Sequence, residues 1–197
     1  MVAVPVATPP FVAKVEHVTR AGLGGSWHPG CPVGPTRLRR IRLSYVGFDG
    51  GRHTGEIVVN QSVVGDVTQI FRRLYRDRFP IRSLRPIDVF NGSDDRSMAA
   101  DNTSSFNCRY AVAAGPKSWS MHAYGEAIDV NTVENPYIQN GRVTPPNAKA
   151  YADRTNVRPG MAVDGGVLVQ AFAAVGWSWG GRWRASPDYE HFSTNGR

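Results

Sequence analysis

His122, Asp129 and His191 are the residues of this chain whose types and spacing could do chemistry. They lie in two short motifs, Ser120-Met121-His122-Ala123-Tyr124-Gly125-Glu126-Ala127-Ile128-Asp129 and Asp188-Tyr189-Glu190-His191-Phe192. Two imidazoles and a carboxylate make a three-ligand set for a catalytic zinc ion (Zn2+), with the fourth position left for water. Asp188 precedes the last histidine by three residues, a place from which it could act as a base on that water. The pattern predicts a metal-assisted hydrolase. Taken singly the pieces are weak: a His–Asp pair seven apart is common, and so is D-x-x-H. Glu126 and Glu190 stand as alternative ligands or bases. It is the long first motif, joined to Trp179-Gly180-Gly181 and to D-x-x-H-F, that strengthens the reading.

The ligands need elements to hold them. Glu126 to Asn131 reads as a short strand, in which alternate side chains face opposite ways. Ala127, Asp129 and Asn131 then share an open polar face, while Ile128 and Val130 anchor the strand in the core. Gly125 permits a turn that brings His122 back over Asp129. Upstream, Ile41, Leu43 and Tyr45 alternate as in a half-buried strand, Phe48-Asp49-Gly50-Gly51 is a turn, and Gly55 to Asn60 is a second strand, so a hairpin is expected. Val63, Val67, Ile70, Phe71, Leu74 and Tyr75 recur at helical spacing, with Asn60 or Ser62 as cap and Phe79-Pro80 as terminator. The opposite face, with Asp66, Gln69, Arg72, Arg73 and Arg76, reads as solvated. Ile81 to Phe90 reads as a strand, Ser93 to Arg109 as a polar irregular loop of the kind that often carries function, and Pro136 to Pro159 as a long excursion. A second helix is expected over Asp164 to Val175, capped by Asp164 and ended by Gly176. Trp177 to Gly181 and His191 to Ser193 should complete the sheet.

The length of 197 residues suits one domain with a full core. Residues 1–36, rich in Gly, Pro and Val, read as an arm or linker packing on a body formed by 37–197. The first ten residues are apolar and hold three prolines but no basic segment, which is not a complete signal peptide; they read as an extended linker. No apolar stretch is long enough to span a membrane. The net charge of +7 favours a polyanionic partner, nucleic acid or a bacterial cell wall, over a neutral one. The basic residues are scattered apart from Arg37 to Arg40 and Arg72 to Arg78, without a recognition-helix or aromatic RNA-binding pattern, so nucleic acid is not expected. Cys31 and Cys108 belong to no C-x-x-C pair, which argues against a thiolate zinc site. Two such distant cysteines in an exported protein are expected to be bridged.

The order Ser-x-His, Gly125, Ala127, Asp129, followed about sixty residues later by Trp-Gly-Gly-x-Trp and Asp-x-x-His-Phe, resembles the D-alanyl-D-alanine carboxypeptidase family of zinc peptidases, with its VanY-type, VanX-type and L-alanyl-D-glutamate endopeptidase members. The likeness extends over roughly Ile57 to Ser193. It implies an α+β fold, in which a small antiparallel sheet forms the floor of a zinc cleft and helices pack on its other face, an architecture shared with hedgehog signalling domains. It implies zinc ligands His122, Asp129 and His191, the base Asp188, and an upstream arginine that binds a substrate oxygen, with Arg96 as the best match and Arg109 as the fallback. Ser120 joins Arg96 as a substrate-binding residue. Arg182 and Asp188 stand where the family often has acidic and glutamate residues, respectively. The implied activity is hydrolysis of peptidoglycan stem peptides, as a D,D-carboxypeptidase or endopeptidase, by a monomer at the cell wall or outside the cell, in an exported bacterial protein or a phage lysin. A zinc-holding but inactive wall-binding domain is the alternative.

Overall fold

The computed structural model describes residues 10–112 and 116–197; the linker expected over the first ten residues falls almost wholly outside these. In chain order the elements are β1 (Ala13–His17), α1 (Arg20–Leu23), β2 (Leu38–Val46), β3 (Arg52–Asn60), α2 (Val64–Arg76), α3 (Asp94–Ala99), α4 (Met121–Tyr124), β4 (Ala127–Asp129), β5 (Tyr137–Gln139), β6 (Arg142–Thr144), α5 (Val167–Ala173), β7 (Ser178–Trp179) and β8 (His191–Ser193). The fold is α+β, with two three-stranded antiparallel sheets, β1-β2-β3 and β4-β8-β7, beside the β5-β6 hairpin. The sequence reading expected a single small sheet.

The hairpin forms as its alternation dictates, with Ile41 opposite Ile57 and Leu43 opposite Gly55. Ile41, Leu43, Ile57 and Val59 face a core shared with Val67, Ile70, Phe71 and Leu74 of α2, Phe172 of α5, and Ile128, Val130 and Phe192 of the second sheet. Phe172 and Phe192 stack at 4.0 Å between ring centroids, and burying each such ring contributes roughly 1.5–3 kcal/mol. The opposite face carries Leu38 and Val58, which pack on Leu23, Phe106 and Cys108. Residues 13–17, expected in an arm, form the edge strand of the first sheet along β2. The Cys31–Cys108 disulfide is formed, across a separation of 77 residues.

Several expectations are corrected. Ile81 to Phe90 is not a strand. After an isolated bridge at the preceding Pro80 it makes one more at Leu84 and then a 3-10 turn over Ile87–Phe90, because Pro80 and Pro86 lack the N–H groups that a ladder needs. Within Ser93 to Arg109, Ser93 caps a short helix, accepting a hydrogen bond from the Arg96 N–H, and Asn102 to Cys108 is buried rather than a solvated loop. Asn102 is paired there: its side chain donates to the Arg85 carbonyl and accepts from the Arg85 N–H. Asp164 does not cap α5. The helix begins after Gly166 without a side-chain cap, and Asp164 pairs with Arg182 instead. At α2, Asn60 caps a preceding 3-10 turn by accepting from the Ser62 N–H, and the helix ends at Arg76, before Phe79.

Candidate metal centre

The second sheet places two of the three candidate ligands by register alone. Asp129 of β4 lies directly opposite His191 of β8, while Ile128 lies opposite Phe192. Alternation therefore sends Ile128 and Phe192 into the core and Asp129 and His191 to the other face. His122 comes from α4, whose four residues are fixed at both ends. The Ser120 hydroxyl accepts from the His122 N–H, and Gly125 ends the helix in the left-handed conformation, at φ 69°. The end of β3 holds this turn: the Asn60 N–H donates to the Gly125 carbonyl and the Asn60 side-chain amide to the Tyr124 carbonyl.

All three side chains are buried. His122 Nε2 lies 3.0 Å from one Asp129 oxygen and 3.2 Å from His191 Nδ1, which is 3.1 Å from the other Asp129 oxygen. The outer nitrogens decide the tautomers. His122 Nδ1 is 2.7 Å from the Ser105 carbonyl oxygen and His191 Nε2 is 2.8 Å from the Arg197 main-chain oxygen. A carbonyl oxygen can only accept, so both outer nitrogens are donors. The inner nitrogens of the neutral rings are then bare lone pairs, aimed at each other and at a carboxylate. One atom from each of the three side chains falls within 4.8 Å of the others. Such a donor set repels itself unless a cation or a proton sits in its middle, and hydrogen-bonded outer nitrogens are the usual support of metal-binding histidines. The residues fit a zinc ion.

The surrounding charge points the same way. Burial resists charge throughout. Even so, the two imidazoles hold the Asp129 carboxyl far below its usual range, and Asp129 holds the His191 ring above its ordinary value. Burial pushes Asp188 up to about 7, a rise that His191 opposes and Asp129 adds to. Burial, then the charges of Asp129 and Asp188, push Glu190 well above the carboxylate range. Acceptors thus exceed donors here, and oxygens of Asp188 and Glu190 are buried without a hydrogen-bond partner.

A cleft of about 720 Å³ opens on the site, lined among others by Arg109, Trp119, Ser120, His122, Tyr137, Trp183, Asp188 and His191. Ligand sites typically occupy about 300–1,000 Å³. Of the alternative acids, Glu190 does not line the cleft. Glu126 does, but on the strand face away from Asp129, and it accepts from Ser62 and Thr194. Arg96 is not brought to the site. It lies exposed on α3 and makes no ion pair among the described residues, whereas Arg109 lines the cleft and pairs with Asp94 at 2.9 Å. Burial disfavours the Arg109 charge, but Asp94, Asp129, Asp188 and Glu190 together outweigh it and raise its pKa.

Residues 114–194 match the model of the D-alanyl-D-alanine carboxypeptidase family. This is the family that the motifs resemble, and the matched segment holds His122, Asp129, Asp188 and His191. It is shorter than the Ile57 to Ser193 span of the sequence reading, and leaves Arg109 and both cysteines outside the carboxypeptidase-like part. No curated protein and no solved structure matches the chain. The supporting oxygens of Ser105 and Arg197 had no signal in the sequence, since any residue type can offer its carbonyl. Trp183, the last residue of the Trp-Gly-Gly-x-Trp motif, lines the cleft, and so does Tyr137, which no motif marks.

Proposed function

We propose that the chain is a zinc-dependent peptidase of the bacterial cell wall, hydrolysing peptidoglycan stem peptides as a D,D-carboxypeptidase or endopeptidase. The observation that carries this reading is the commitment of both outer ring nitrogens to main-chain oxygens, which aims two lone pairs and a carboxylate at one point beside an open cleft. His122, Asp129 and His191 would hold the ion. When bound, zinc supplies Lewis-acid chemistry, acidifying water and polarising a scissile carbonyl.

The remaining roles fall to side chains of the cleft wall. Asp188 is the base: its carboxyl faces the cleft, takes a proton from the attacking water and returns it to the leaving amine. Burial holds Asp188 up at about 7, and a cation held by His122, Asp129 and His191 would favour its ionised, proton-accepting form. Arg109, rather than Arg96, holds a carbonyl or carboxylate oxygen of the substrate. Ser120 keeps its hydroxyl proton free while its oxygen accepts from His122, so it can donate to the peptide. The net charge of +7 draws the protein to an anionic wall, and the disulfide suits an exported or cell-wall setting. Among the described residues no helix is long and apolar enough to cross a membrane.

The test measures zinc and hydrolysis together. The purified chain should carry one zinc and release fragments from peptidoglycan stem peptides, and His191→Ala should lose both. Full zinc occupancy in His191→Ala would refute the ligand set, and zinc without hydrolysis would favour the inactive wall-binding reading.

A further inference from the structure

His28, Cys31 and Cys108 form a second cluster of metal-ligating side chains, outside the matched segment and independent of the proposed activity. One ligand atom from each lies within 4.8 Å of the other two. In the structure the two sulfurs are bonded, but the main chain brings them together as well. His28-Pro29-Gly30-Cys31 is a tight chelating turn: the Cys31 N–H donates to the His28 carbonyl at 3.2 Å, and the His28 N–H donates to Cys31 Sγ at 3.2 Å. Gly30, at φ 94°, closes it with no side chain in the way. An N–H aimed at sulfur favours the thiolate over the thiol. Cys108 is held to the same region because its N–H donates to the Ser26 carbonyl at 2.9 Å. The His28 ring lies beside Trp119, 6.4 Å between centroids, and is exposed, so the cluster opens to solvent on one side.

We propose that these three residues bind zinc when the disulfide is reduced, so that one clasp is closed by metal in a reducing compartment and by a covalent bond in an oxidising one. The electrons balance with a dithiol reductant. The S–S bond breaks, each sulfur takes up a proton and two electrons enter, while the reductant closes its own disulfide. Zinc binding then displaces the two thiol protons and is held by two thiolates and an imidazole, with water in the fourth position. Soft thiolates select zinc over magnesium or calcium. In either state the clasp ties the segment after α1 to the residue preceding Arg109, behind the wall of the cleft.

Cobalt(II) reports thiolate ligation directly. The full chain, reduced and stripped of metal, should develop a thiolate-to-cobalt charge-transfer band in the near ultraviolet, and the unreduced chain should not. Zinc should abolish the band by displacement. Cys31→Ser/Cys108→Ser should lack it while retaining the metal bound through His191. Losing a group that merely orients a ligand already costs about 10–100-fold in metal affinity, so His28→Ala should weaken cobalt binding at least that much. The unmutated chain gives a second readout, since zinc should slow alkylation of both reduced thiols by iodoacetamide. No band in the reduced chain, unchanged cobalt affinity in His28→Ala, or alkylation indifferent to zinc would each overturn the proposal.

Discussion

Asp188 and Arg109 are where binding and catalysis can be separated residue by residue. Asp188→Asn keeps the shape of the side chain but cannot take a proton. Zinc should stay bound in this variant while kcat falls about 10²–10⁴-fold, the usual worth of a positioned base. Metal content beside kinetics on a stem-peptide substrate checks this, and near-full activity would move the role to Glu126, the other acid of the cleft. Arg109→Ala should raise KM by weakening the hold on a substrate oxygen, whereas Arg96→Ala, on the exposed face of α3, should leave both constants near those of the parent chain. A KM effect confined to Arg96→Ala would reverse that assignment. The sequence could name the three candidate ligands, which the structure brings together, because histidine and aspartate in a long motif carry chemical identity in themselves. It ranks Arg96 ahead of Arg109, whereas Arg109 is the one that lines the cleft, because that choice depends on where a buried segment runs. Asp94 adjoins Arg96 by two positions in sequence, yet it pairs with Arg109.

At the scale of elements, the candidate metal site is two cross-strand neighbours and a one-turn helix pinned above them. Periodicity made the strands legible: Ile41 and Leu43 pack inwards as their alternation requires, and Ile128 and Phe192 face the core while Asp129 and His191 do not. Reading Ile81 to Phe90 as a strand failed because composition signals an apolar segment but not whether a neighbour has a free edge, and Pro86 turns the segment into a 3-10 coil. The buried run Asn102 to Asn107 was illegible for a related reason. Its polar residues look solvated until the partners that satisfy them are known, and those partners include distant main-chain groups such as the Arg85 amide and carbonyl, which bond the Asn102 side chain. Gly125 is the most exacting position of the helix turn. A Cβ there would sit 2.6 Å from the Asn60 nitrogen, in a left-handed conformation. Gly125→Ala should therefore lose at least about 1–2 kcal/mol of stability, the cost of that conformation alone, and should also hold zinc less tightly because α4 carries His122. Denaturant unfolding with the metal content of the folded protein measures both. A parent-like midpoint and zinc occupancy would show that the turn tolerates a side chain.

Over the whole molecule, the disulfide joins two segments that the family match does not cover, the second of which is bonded to the site that it does. Cys31 lies after the edge strand and α1, and Cys108 adjoins Arg109. Main-chain bonds then run from Asn107 to the His122 carbonyl and from Phe106 to the Val58 carbonyl. Cysteine arithmetic predicted the bridge from two unpaired residues in a chain read as exported; what it could not show is that the bridge stands behind the cleft. A link of 77 residues removes unfolded-state entropy worth about 4 kcal/mol. Reduction in the presence of chelator should cost about that amount, with the loss read as a lower denaturant midpoint and a steeper slope, because the freed unfolded chain exposes more surface. Zinc added to the reduced chain without chelator should recover part of it by binding the folded state at either site, and the share lost in His28→Ala separates the clasp from the centre formed by His122, Asp129 and His191. Because the clasp steadies the Arg109 segment and not the ligands, the reduced, chelator-treated chain refilled with a single equivalent of zinc should show a raised KM before any fall in kcat. A fall in kcat at unchanged KM would mean instead that the bridge holds His122 through Asn107, and that the wall and the metal site yield together.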